Sequence, residues 1–408
     1  MIDKPIRLIL PLIWAVSVLV GAPTRAGAQT DPSRLEGFHD NAQDKTVFRV
    51  LEMAHESIDI EIYEMADQDV RRLIRQSLHH QPRPIRVRII KEPNPVGEKC
   101  HYFKDISEDD DDDCKDQKAL VREVRASAGG KFVPFKKAEL CGGYGRCFEH
   151  GKLILIDGRH ALLSTGNFNS TSLCNLSRDP GKCNRDFSYV ISDPEEVGVL
   201  TEIFERDLSG AYYDLLPLLA RSKRLTVSPY SLDPLVRFIK QAKRSVRIEN
   251  QYLQDPEINA ALIEVSARKK NPVKVYATVS SLCSFGPPRA LSKDAKNMFK
   301  AFEDARISLH FFTAQMHVGG KPGYLHAKAI VIDDTHAWLG SVNGSVTATS
   351  ANREFGIFFH NPPDVKKLVE ILDKDYKDER SDQSLEETLG CTNDYESRPR
   401  VRREKVEP

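Results

Sequence analysis

The sequence predicts an α/β protein with two similar halves, each a mixed sheet flanked by helices, related by approximate two-fold symmetry. Three observations predict this class. Strand-like and helix-like segments alternate along the chain, as they do in layered α/β folds. The same order of segments occurs twice, and a polar motif recurs at the same place in each copy. With 408 residues, the chain is long enough for two domains that each have a core.

The first 28 residues indicate an exported protein. They contain Lys4 and Arg7, then an apolar run over residues 8–22, then small residues before Gln29. This pattern predicts a cleaved signal peptide over residues 1–28 and a secreted or periplasmic protein. An uncleaved anchor is the alternative, but the apolar run is shorter than the roughly 20 residues that span a bilayer.

Each half opens with an amphipathic helix followed by a buried strand. Apolar residues at helical spacing over residues 47–54 precede an alternating strand over residues 57–63. Residues 235–242 and 245–252 repeat this arrangement 188 positions later. The repeat predicts a first half over residues 29–222 with one copy of the polar motif and a second half with the other.

Both halves continue with a second helix and strand and then close with a helix. The second strands are expected at residues 85–90 and 273–278. The closing helices begin at Pro194 and Pro362, because proline suits the first turn of a helix. The offset between the closing helices is 168 positions. This places the end of the second half near residue 380.

The tail over residues 381–408 is basic and poor in apolar side chains. Such a composition does not support a packed core, so this tail is predicted to be partly disordered.

Since a duplicated chain can complete its own site without a partner chain, we expect the protein to be a monomer.

Eight cysteines suit a protein from an oxidising compartment, where four disulfides could form. Pairing of neighbours is expected, with the last pair reached by elimination: Cys100–Cys114, Cys141–Cys147, Cys174–Cys183 and Cys283–Cys391. Zinc binding is the competing interpretation, but the chain has no CxxC pair. The first and third pairs fall where the first half has extra residues, so they are expected to fasten loops that the second half lacks.

A polar motif follows the alternating segments of each half. It reads His150, Lys152 and Asp157, with one residue between the first two and four between the last two. The second copy has the same spacing, 176 positions later: His326, Lys328 and Asp333. A single copy would be weak evidence, whereas two matched copies indicate one shared chemistry.

After each motif comes a turn of small residues that ends in an asparagine, at Asn167 and at Asn343. A hydroxyl side chain stands two residues earlier, as Thr165 and Ser341. The asparagine amides are candidates for binding substrate because they supply hydrogen-bond donors. The two hydroxyls are candidates for the same task, with bracing of the turn as the alternative.

Further along, Asn-Arg-Asp-Phe at residues 184–187 is echoed by Asn-Arg-Glu-Phe at residues 352–355. Together the repeated motifs resemble those of the phospholipase D superfamily, in which two HKD half-sites meet to form one active site. The resemblance spans residues 36–378 and departs from the usual pattern at Ser164-Thr165, where the family commonly has Gly-Ser. It implies the phospholipase D-like fold and a phosphodiesterase that needs no metal or other cofactor.

The motif residues suit covalent phosphoryl transfer. His150 and Lys152 reach into one cavity, because strand side chains two residues apart share a face. One imidazole can attack phosphorus while the other protonates the leaving oxygen. By similarity to the family, His150 is the expected nucleophile and His326 the general acid. The lysines and asparagines would stabilise charge on the phosphate oxygens.

Two pairs of acidic residues have different expected tasks. Asp186 and Glu354 are expected to hold the imidazoles in one tautomer, as the resemblance also implies. The sequence leaves open which acid serves which histidine. Asp157 and Asp333 each stand at a strand end before a turn, where an aspartate accepts backbone hydrogen bonds. We expect them to give structural support.

The substrate class is a further hypothesis. The chain has 59 basic and 59 acidic residues, so it lacks the overall positive charge that favours non-specific nucleic-acid binding. Hydrolysis or head-group transfer on phospholipids, with transient contact to a membrane surface, is the first expectation. Flexible apolar or Gly/Pro-rich stretches at residues 284–288 and 311–312 are expected beside the site. An exported nuclease acting on DNA or RNA is the second hypothesis. A non-catalytic binding protein on the same scaffold is the third.

Overall fold

The computed structural model describes residues 35–96, 98, 100–141, 147–280, 293–312, 316–318, 321–378 and 382–383. The predicted signal peptide, residues 284–288, the expected Cys283–Cys391 pair and nearly all of the C-terminal tail lie outside the described residues. Within the part that is described, no helix combines the length and the apolar character needed to cross a bilayer.

The first half contains a seven-stranded sheet in the order β1-β7-β6-β5-β2-β3-β4. Its strands are β1 (Gly37–Asp40), β2 (Ser57–Ile62), β3 (Arg86–Lys91), β4 (Lys131–Pro134), β5 (Lys152–Ile156), β6 (His160–Ser164) and β7 (Phe187–Ile191). Its helices are α1 (Thr46–Glu52), α2 (Gln68–Leu78), α3 (Asp112–Ala126), α4 (Lys137–Leu140) and α5 (Pro194–Ser209), and the short α6 (Leu216–Leu219) leads to the second half.

The second half contains an eight-stranded sheet in the order β17-β11-β10-β9-β14-β15-β16-β8 and a separate hairpin of β12 and β13. The strands are β8 (Leu225–Val227), β9 (Ser245–Asn250), β10 (Lys274–Ser280), β11 (Ser308–Phe312), β12 (Met316–Val318), β13 (Lys321–Gly323), β14 (Lys328–Ile332), β15 (His336–Gly340), β16 (Phe355–Phe359) and β17 (Asp382–Gln383). The helices are α7 (Leu232–Lys240), α8 (Pro256–Ser266), α9 (Lys293–Asp304), α10 (Val346–Ser350) and α11 (Pro362–Tyr376).

Both large sheets are mixed in the same way. In the first, β2 runs parallel to β3 and antiparallel to β5. In the second, β9 runs parallel to β10 and antiparallel to β14. The predicted α/β class with two similar halves is therefore confirmed, and the closing helices α5 and α11 begin at the two expected prolines.

The alternation of side chains along the motif strands builds two layers of core. Leu153 and Leu155 of β5 pack into a central cluster that also contains Ala329 and Val331 of β14. The intervening residues of each strand face a separate core on the other side of its sheet. Because the central cluster draws on both sheets, burial of apolar surface holds the two halves together.

Three predicted disulfides are present in the described residues, all in the first half: Cys100–Cys114, Cys141–Cys147 and Cys174–Cys183. Their Cα atoms are 5.3, 6.3 and 4.6 Å apart. The expectation that residues 311–312 form a flexible stretch is wrong. Phe311 and Phe312 belong to β11 and are 2% and 1% exposed, because both side chains fill core positions.

Candidate active site

The two histidines stand just before equivalent strands. His150 precedes β5, which begins at Lys152, and His326 precedes β14, which begins at Lys328. The residue before each histidine forms an isolated parallel bridge to the other half, Glu149 with Arg353 and Leu325 with Arg185. The motif of each half therefore begins on the seam between the halves.

Backbone hydrogen bonds close these bridges on both sides of the seam. The amide of His150 donates to the carbonyl of Arg353 at 2.9 Å, and the amide of His326 donates to that of Arg185 at 3.1 Å. The arginine amides in turn donate to the carbonyls of Phe148 and Tyr324. These contacts are reciprocal between the halves, as approximate two-fold symmetry requires.

Each imidazole bonds to a carboxylate from the opposite half. The Nδ1 atom of His150 lies 2.8 Å from Oε2 of Glu354, and Nδ1 of His326 lies 2.9 Å from Oδ1 of Asp186. Both carboxylates are buried. The question that the sequence left open is thus answered: the acids are exchanged between the halves. When Nδ1 carries the proton, its N–H group donates to the acid, and Nε2 is left as the basic nitrogen.

The protonation states of the imidazoles follow from their surroundings. Burial lowers the pKa of His150 to about 4, with further lowering by Lys152 and Lys328 and opposition from Glu354. Burial likewise lowers the pKa of His326 to about 4, against the effect of Asp186. The charges of both motif lysines lower the pKa of each histidine. Together with the crossed acid contacts, this indicates that the two motifs meet at the seam. Both imidazoles are neutral near pH 7 in the free protein.

The motif lysines are fully buried. Nζ of Lys152 donates to the carbonyl of His150 at 2.5 Å, while Nζ of Lys328 donates to the carbonyls of His326 and Thr165. Burial lowers the pKa of Lys152 to about 8 and that of Lys328 to about 7, since a low-polarity environment penalises the ammonium. An anion placed between them would favour their charged forms.

The two motif asparagines have similar burial but different partners. Asn167 is 7% exposed and Asn343 is 9% exposed. The Nδ2 group of Asn167 donates to Oε2 of Glu64 at 3.1 Å. The buried Oδ1 atoms of both asparagines find no hydrogen-bond partner among the described residues. Each side-chain amide therefore retains an unused hydrogen-bond acceptor.

The two hydroxyls of the asparagine turns are engaged within the protein. Oγ1 of Thr165 donates to Oδ1 of Asp186 at 2.8 Å and accepts from the amide of Phe187. Oγ of Ser341 accepts from the amide of Phe355 at 3.0 Å. Of the two tasks left open by the sequence, bracing the turn is the one that the structure displays. Thr165 also ties the first turn to the carboxylate that holds His326.

The motif aspartates lie at the far ends of β5 and β14 from the histidines. The carboxylate of Asp157 accepts from the backbone amides of residues 55–57, the closest at 2.8 Å. That of Asp333 accepts from the amides of residues 243–245, the closest at 2.7 Å. Each aspartate thereby fastens the start of the neighbouring central strand, which is a structural task.

Aromatic rings beside the histidines were missed by the sequence analysis. The ring centroid of Tyr63 lies 4.9 Å from that of His150, and that of Tyr324 lies 5.8 Å from that of His326. Tyr63 immediately follows β2, whereas Tyr324 lies two residues before its histidine. The two rings are therefore not counterparts in the repeat, so a search for duplicated residues could not find them.

Gly166 lies where the first asparagine turn approaches the buried acid. A Cβ atom at this position would stand 2.5 Å from Cγ of Asp186. The second half has Val342 at the equivalent position, before Asn343. The glycine thus permits close packing between the turn and the partner of His326.

The site can now be set beside known proteins. A family model described as the cardiolipin synthase, phospholipase D-like domain, matches residues 47–208 and 235–376, one match in each half. No curated protein matches the chain in sequence.

Solved structures share the fold at low identity. The polyphosphate kinase of Porphyromonas gingivalis is 14% identical, with a TM-score of 0.55, over 91% of this chain and 56% of that one. This chain therefore spans little more than half of the kinase. The phosphatidylserine synthase of Haemophilus influenzae Rd KW20 is also 14% identical, with a TM-score of 0.56, over 87% and 88% of the two chains.

A phospholipase D family member, Nuc, from Salmonella typhimurium is 20% identical, with a TM-score of 0.32, over 39% of this chain and 97% of that one. The two longer structural matches show that the fold is similar, whereas the family model matches the sequence itself in both halves. Since that match covers most of both halves, the chain belongs to the family of phospholipase D-like domains.

Proposed function

We propose that this protein is a metal-independent phosphodiesterase that acts on phospholipids through a covalent phosphohistidine. The observation that carries the proposal is the pair of crossed contacts, His150 with Glu354 and His326 with Asp186. Each carboxylate holds Nδ1 of one imidazole, so both Nε2 atoms are available for chemistry.

The reaction has two steps. Nε2 of His150 attacks phosphorus and forms an N–P bond, while the bond from phosphorus to the leaving oxygen breaks. Protonated His326 gives its Nε2 proton to that oxygen, which leaves as an alcohol. Water then attacks phosphorus and gives a proton to His326, and the N–P bond breaks to release neutral His150. An acceptor alcohol in place of water completes a head-group transfer.

His150 is the proposed nucleophile by similarity to the family. Its side chain is 13% exposed, against 4% for that of His326, which supports easier access to a bound phosphorus. His326 must be protonated at the start, although burial lowers its pKa in the free protein. A bound phosphate anion favours the imidazolium, because an opposite charge stabilises the charged form.

The remaining motif residues are proposed to bind the phosphate. Lys152 and Lys328 would neutralise its oxygens, and the amides of Asn167 and Asn343 would donate hydrogen bonds. In a buried site such fixed donors stabilise the charge that builds up in the transition state. No step in this scheme needs a metal or a cofactor.

A phospholipid is the proposed substrate class for two reasons. The matching family model is described for cardiolipin synthase, an enzyme named for a phospholipid. The formal charge of the whole chain is zero, which does not favour long-range attraction of nucleic acid.

The three disulfides support an exported protein, secreted or periplasmic. We further propose that the halves, residues 29–222 and 223–380, form one site within a monomer.

A parallel assay tests this function. Protein lacking residues 1–28 is incubated in excess EDTA with phosphatidylcholine vesicles and, separately, with a single-stranded oligonucleotide. We expect choline release, and loss of that release in His150→Ala and His326→Ala. His79→Ala is the control, because the side chain of His79 is exposed and the residue lies at the C-terminal end of α2, apart from the motif residues.

Each other outcome would overturn a specific part of the proposal. Strand cleavage without choline release would replace the lipid with nucleic acid. Loss of wild-type turnover in EDTA would contradict the metal-free mechanism. Neither activity would favour the non-catalytic binding protein.

A further inference from the structure

A second set of duplicated residues lies behind the acid–histidine pairs. Three charged positions recur at the offsets of the sequence repeat, and all six side chains are at most 5% exposed. They are Glu61 and Glu249 at 188 positions, and Arg185 and Arg353 together with Asp207 and Asp375 at 168 positions. Charged residues are seldom buried unless they are paired, so their duplication calls for a task.

The arginines pair with carboxylates of the opposite half. Nε and Nη2 of Arg353 bond to the two oxygens of Asp207 in α5 at 2.7 and 3.0 Å. Nε and Nη2 of Arg185 bond to the two oxygens of Asp375 in α11 at 2.5 and 2.8 Å. Such two-point pairs constrain both distance and angle. Each closing helix is thereby locked to the segment that follows the motif of the other half.

The position of these arginines in the chain connects them to the chemistry. Arg353 immediately precedes Glu354, and its carbonyl accepts the amide hydrogen bond of His150. Arg185 immediately precedes Asp186 and accepts from the amide of His326 in the same way. The guanidinium therefore anchors the very peptide that presents the carboxylate to the imidazole.

Further contacts restrict each guanidinium. Nη1 of Arg353 donates to the carbonyl of Ser228 at 2.9 Å, and Nη1 of Arg185 donates to Oδ1 of Asp40 at 3.1 Å. An arginine cannot lose its proton in a protein, so the charge persists whatever the pH. A displaced guanidinium would leave a buried carboxylate without its partner, which is strongly unfavourable.

We propose that Arg185 and Arg353 are positioning residues for the reaction. Each sets the orientation of the neighbouring acid, and through it the tautomer and direction of the histidine in the other half. Docking of the two halves and alignment of the two imidazoles then become a single event. This inference rests on the proposed function, since it assigns a task toward the histidine chemistry.

A matched pair elsewhere separates positioning from stability. Nε and Nη2 of Arg88 each bond to Asp59 at 2.7 Å, and both residues are buried. This pair lies within the first half, between β3 and β2, and neither residue adjoins a motif acid. Arg88 also pairs with the half-exposed Glu205 of α5 at 2.7 Å. Arg88→Lys thus removes equivalent geometry, including a contact to the same closing helix, at residues that do not adjoin a motif acid.

The experiment compares Arg353→Lys, Arg185→Lys and Arg88→Lys. Lysine keeps the charge but lacks the planar fork that holds both carboxylate oxygens. We expect the first two variants to lower kcat on a p-nitrophenyl phosphodiester by about tenfold to a hundredfold, the cost of a small misalignment, with KM within about twofold. Arg88→Lys should lower the thermal midpoint about as much as the other two variants do, and it should keep kcat within about twofold of wild type.

A spectroscopic readout does not depend on turnover. With ¹⁵N-labelled histidine, the resonances of His150 are assigned by their loss in His150→Ala. Arg353→Lys should shift His150 away from a single tautomer protonated at Nδ1. Burial lowers the pKa of His150, and so do Lys152 and Lys328, whereas Glu354 raises it. If Glu354 is held less firmly, His150 should therefore titrate at a lower pH. In Arg88→Lys both properties should match wild type.

A second variant covers a failure to fold. Arg353→Met with Asp207→Leu removes both charges together, which buried ion pairs often tolerate. We expect this double variant to keep its thermal midpoint within a few degrees and still to lose kcat. Wild-type kcat and tautomer in this variant and in Arg353→Lys would overturn the inference. If His150→Ala also kept wild-type turnover, the proposed function itself would fail.

Discussion

The two halves have the same motif residues but differ in what surrounds them. Beside Asn167 in the first half lies the carboxylate of Glu64, whereas the equivalent position in the second half is Tyr252. The three disulfides of the described residues all belong to the first half. Under the proposed function, the duplicated residues would face what is common to every phosphodiester, and the unmatched residues would distinguish the two sides of one substrate.

The largest expected effect separates the tasks of the two histidines. On a diester with a p-nitrophenolate leaving group, which needs no proton, His326→Ala should still release one equivalent of p-nitrophenolate rapidly and accumulate phosphorylated His150. On phosphatidylcholine the same variant should have a kcat about 10²–10⁴-fold below that of wild type, the usual contribution of a general acid. For His150→Ala, kcat should fall about 10³-fold or more on both substrates.

Rapid-quench kinetics and mass spectrometry of the trapped protein measure this difference. A burst in His150→Ala with the phosphoryl group on His326 would reverse the assignment of tasks. Turnover that is equally low in both variants, without a trapped intermediate in either, would contradict covalent catalysis.

The lysines should differ in the alkaline limb of the pH profile. Burial lowers the pKa of Lys328 to about 7 and that of Lys152 to about 8. The general acid His326 already titrates below pH 7, so kcat/KM should be falling there. Only the ammonium form of lysine stabilises a phosphate, so the alkaline limb should steepen as pH rises through 7, by about a further tenfold per unit for one such group. Lys328→Arg stays protonated, and this steeper alkaline limb should begin near the pKa of Lys152 instead.

The pH dependence of kcat/KM reports the free enzyme and is the measurement needed. Lys366→Arg is the control, because the side chain of Lys366 is 79% exposed. A steeper alkaline limb that begins at the same pH in wild type and in Lys328→Arg would show that another group controls it.

A smaller effect is expected from the unmatched pair Glu64 and Tyr252. Glu64→Gln removes a negative charge next to Asn167 while keeping a side chain that can accept its hydrogen bond. For a partly exposed carboxylate and a cationic head group the difference is about 1 kcal/mol, or about fivefold in kcat/KM. We expect choline substrates to lose more than glycerol substrates in Glu64→Gln, and Tyr252→Phe to leave the ratio unchanged. Competition between the two lipids in mixed vesicles measures it, and an unchanged ratio in Glu64→Gln would remove Glu64 from head-group recognition.

The smallest effect on activity is expected from the disulfides that the described residues form in the first half. Cys174→Ser with Cys183→Ser opens a short loop and should lower the free energy of unfolding by about 2–3 kcal/mol. Neither cysteine is among the residues proposed to act on the phosphate, so kcat at 25 °C should stay within about twofold of wild type. Urea denaturation and turnover at low temperature measure the two quantities. A loss of kcat at a temperature where the variant is fully folded would implicate this loop in catalysis.

Local pattern was sufficient for much of the fold. The alternation over residues 57–63 predicts β2, and the prolines at 194 and 362 mark the starts of α5 and α11, because strand alternation and helix capping depend on a few neighbouring residues. Apolar content alone misled at residues 311–312, where two phenylalanines fill the core of β11. An apolar pair suits a buried strand and an exposed loop equally well until its partners are known.

By itself, the sequence determined the duplication and the motif residues, since both depend on spacing along one chain. It suggested three cysteine pairs, which the structure then decided. Only the tertiary structure decided that the acids are exchanged: Glu354 holds a histidine 204 positions away and Asp186 one 140 positions away. These contacts form across the seam that the central apolar cluster closes. Spacing within one half carries no information about which side chain of the other half will face it, because that depends on how two preformed sheets dock.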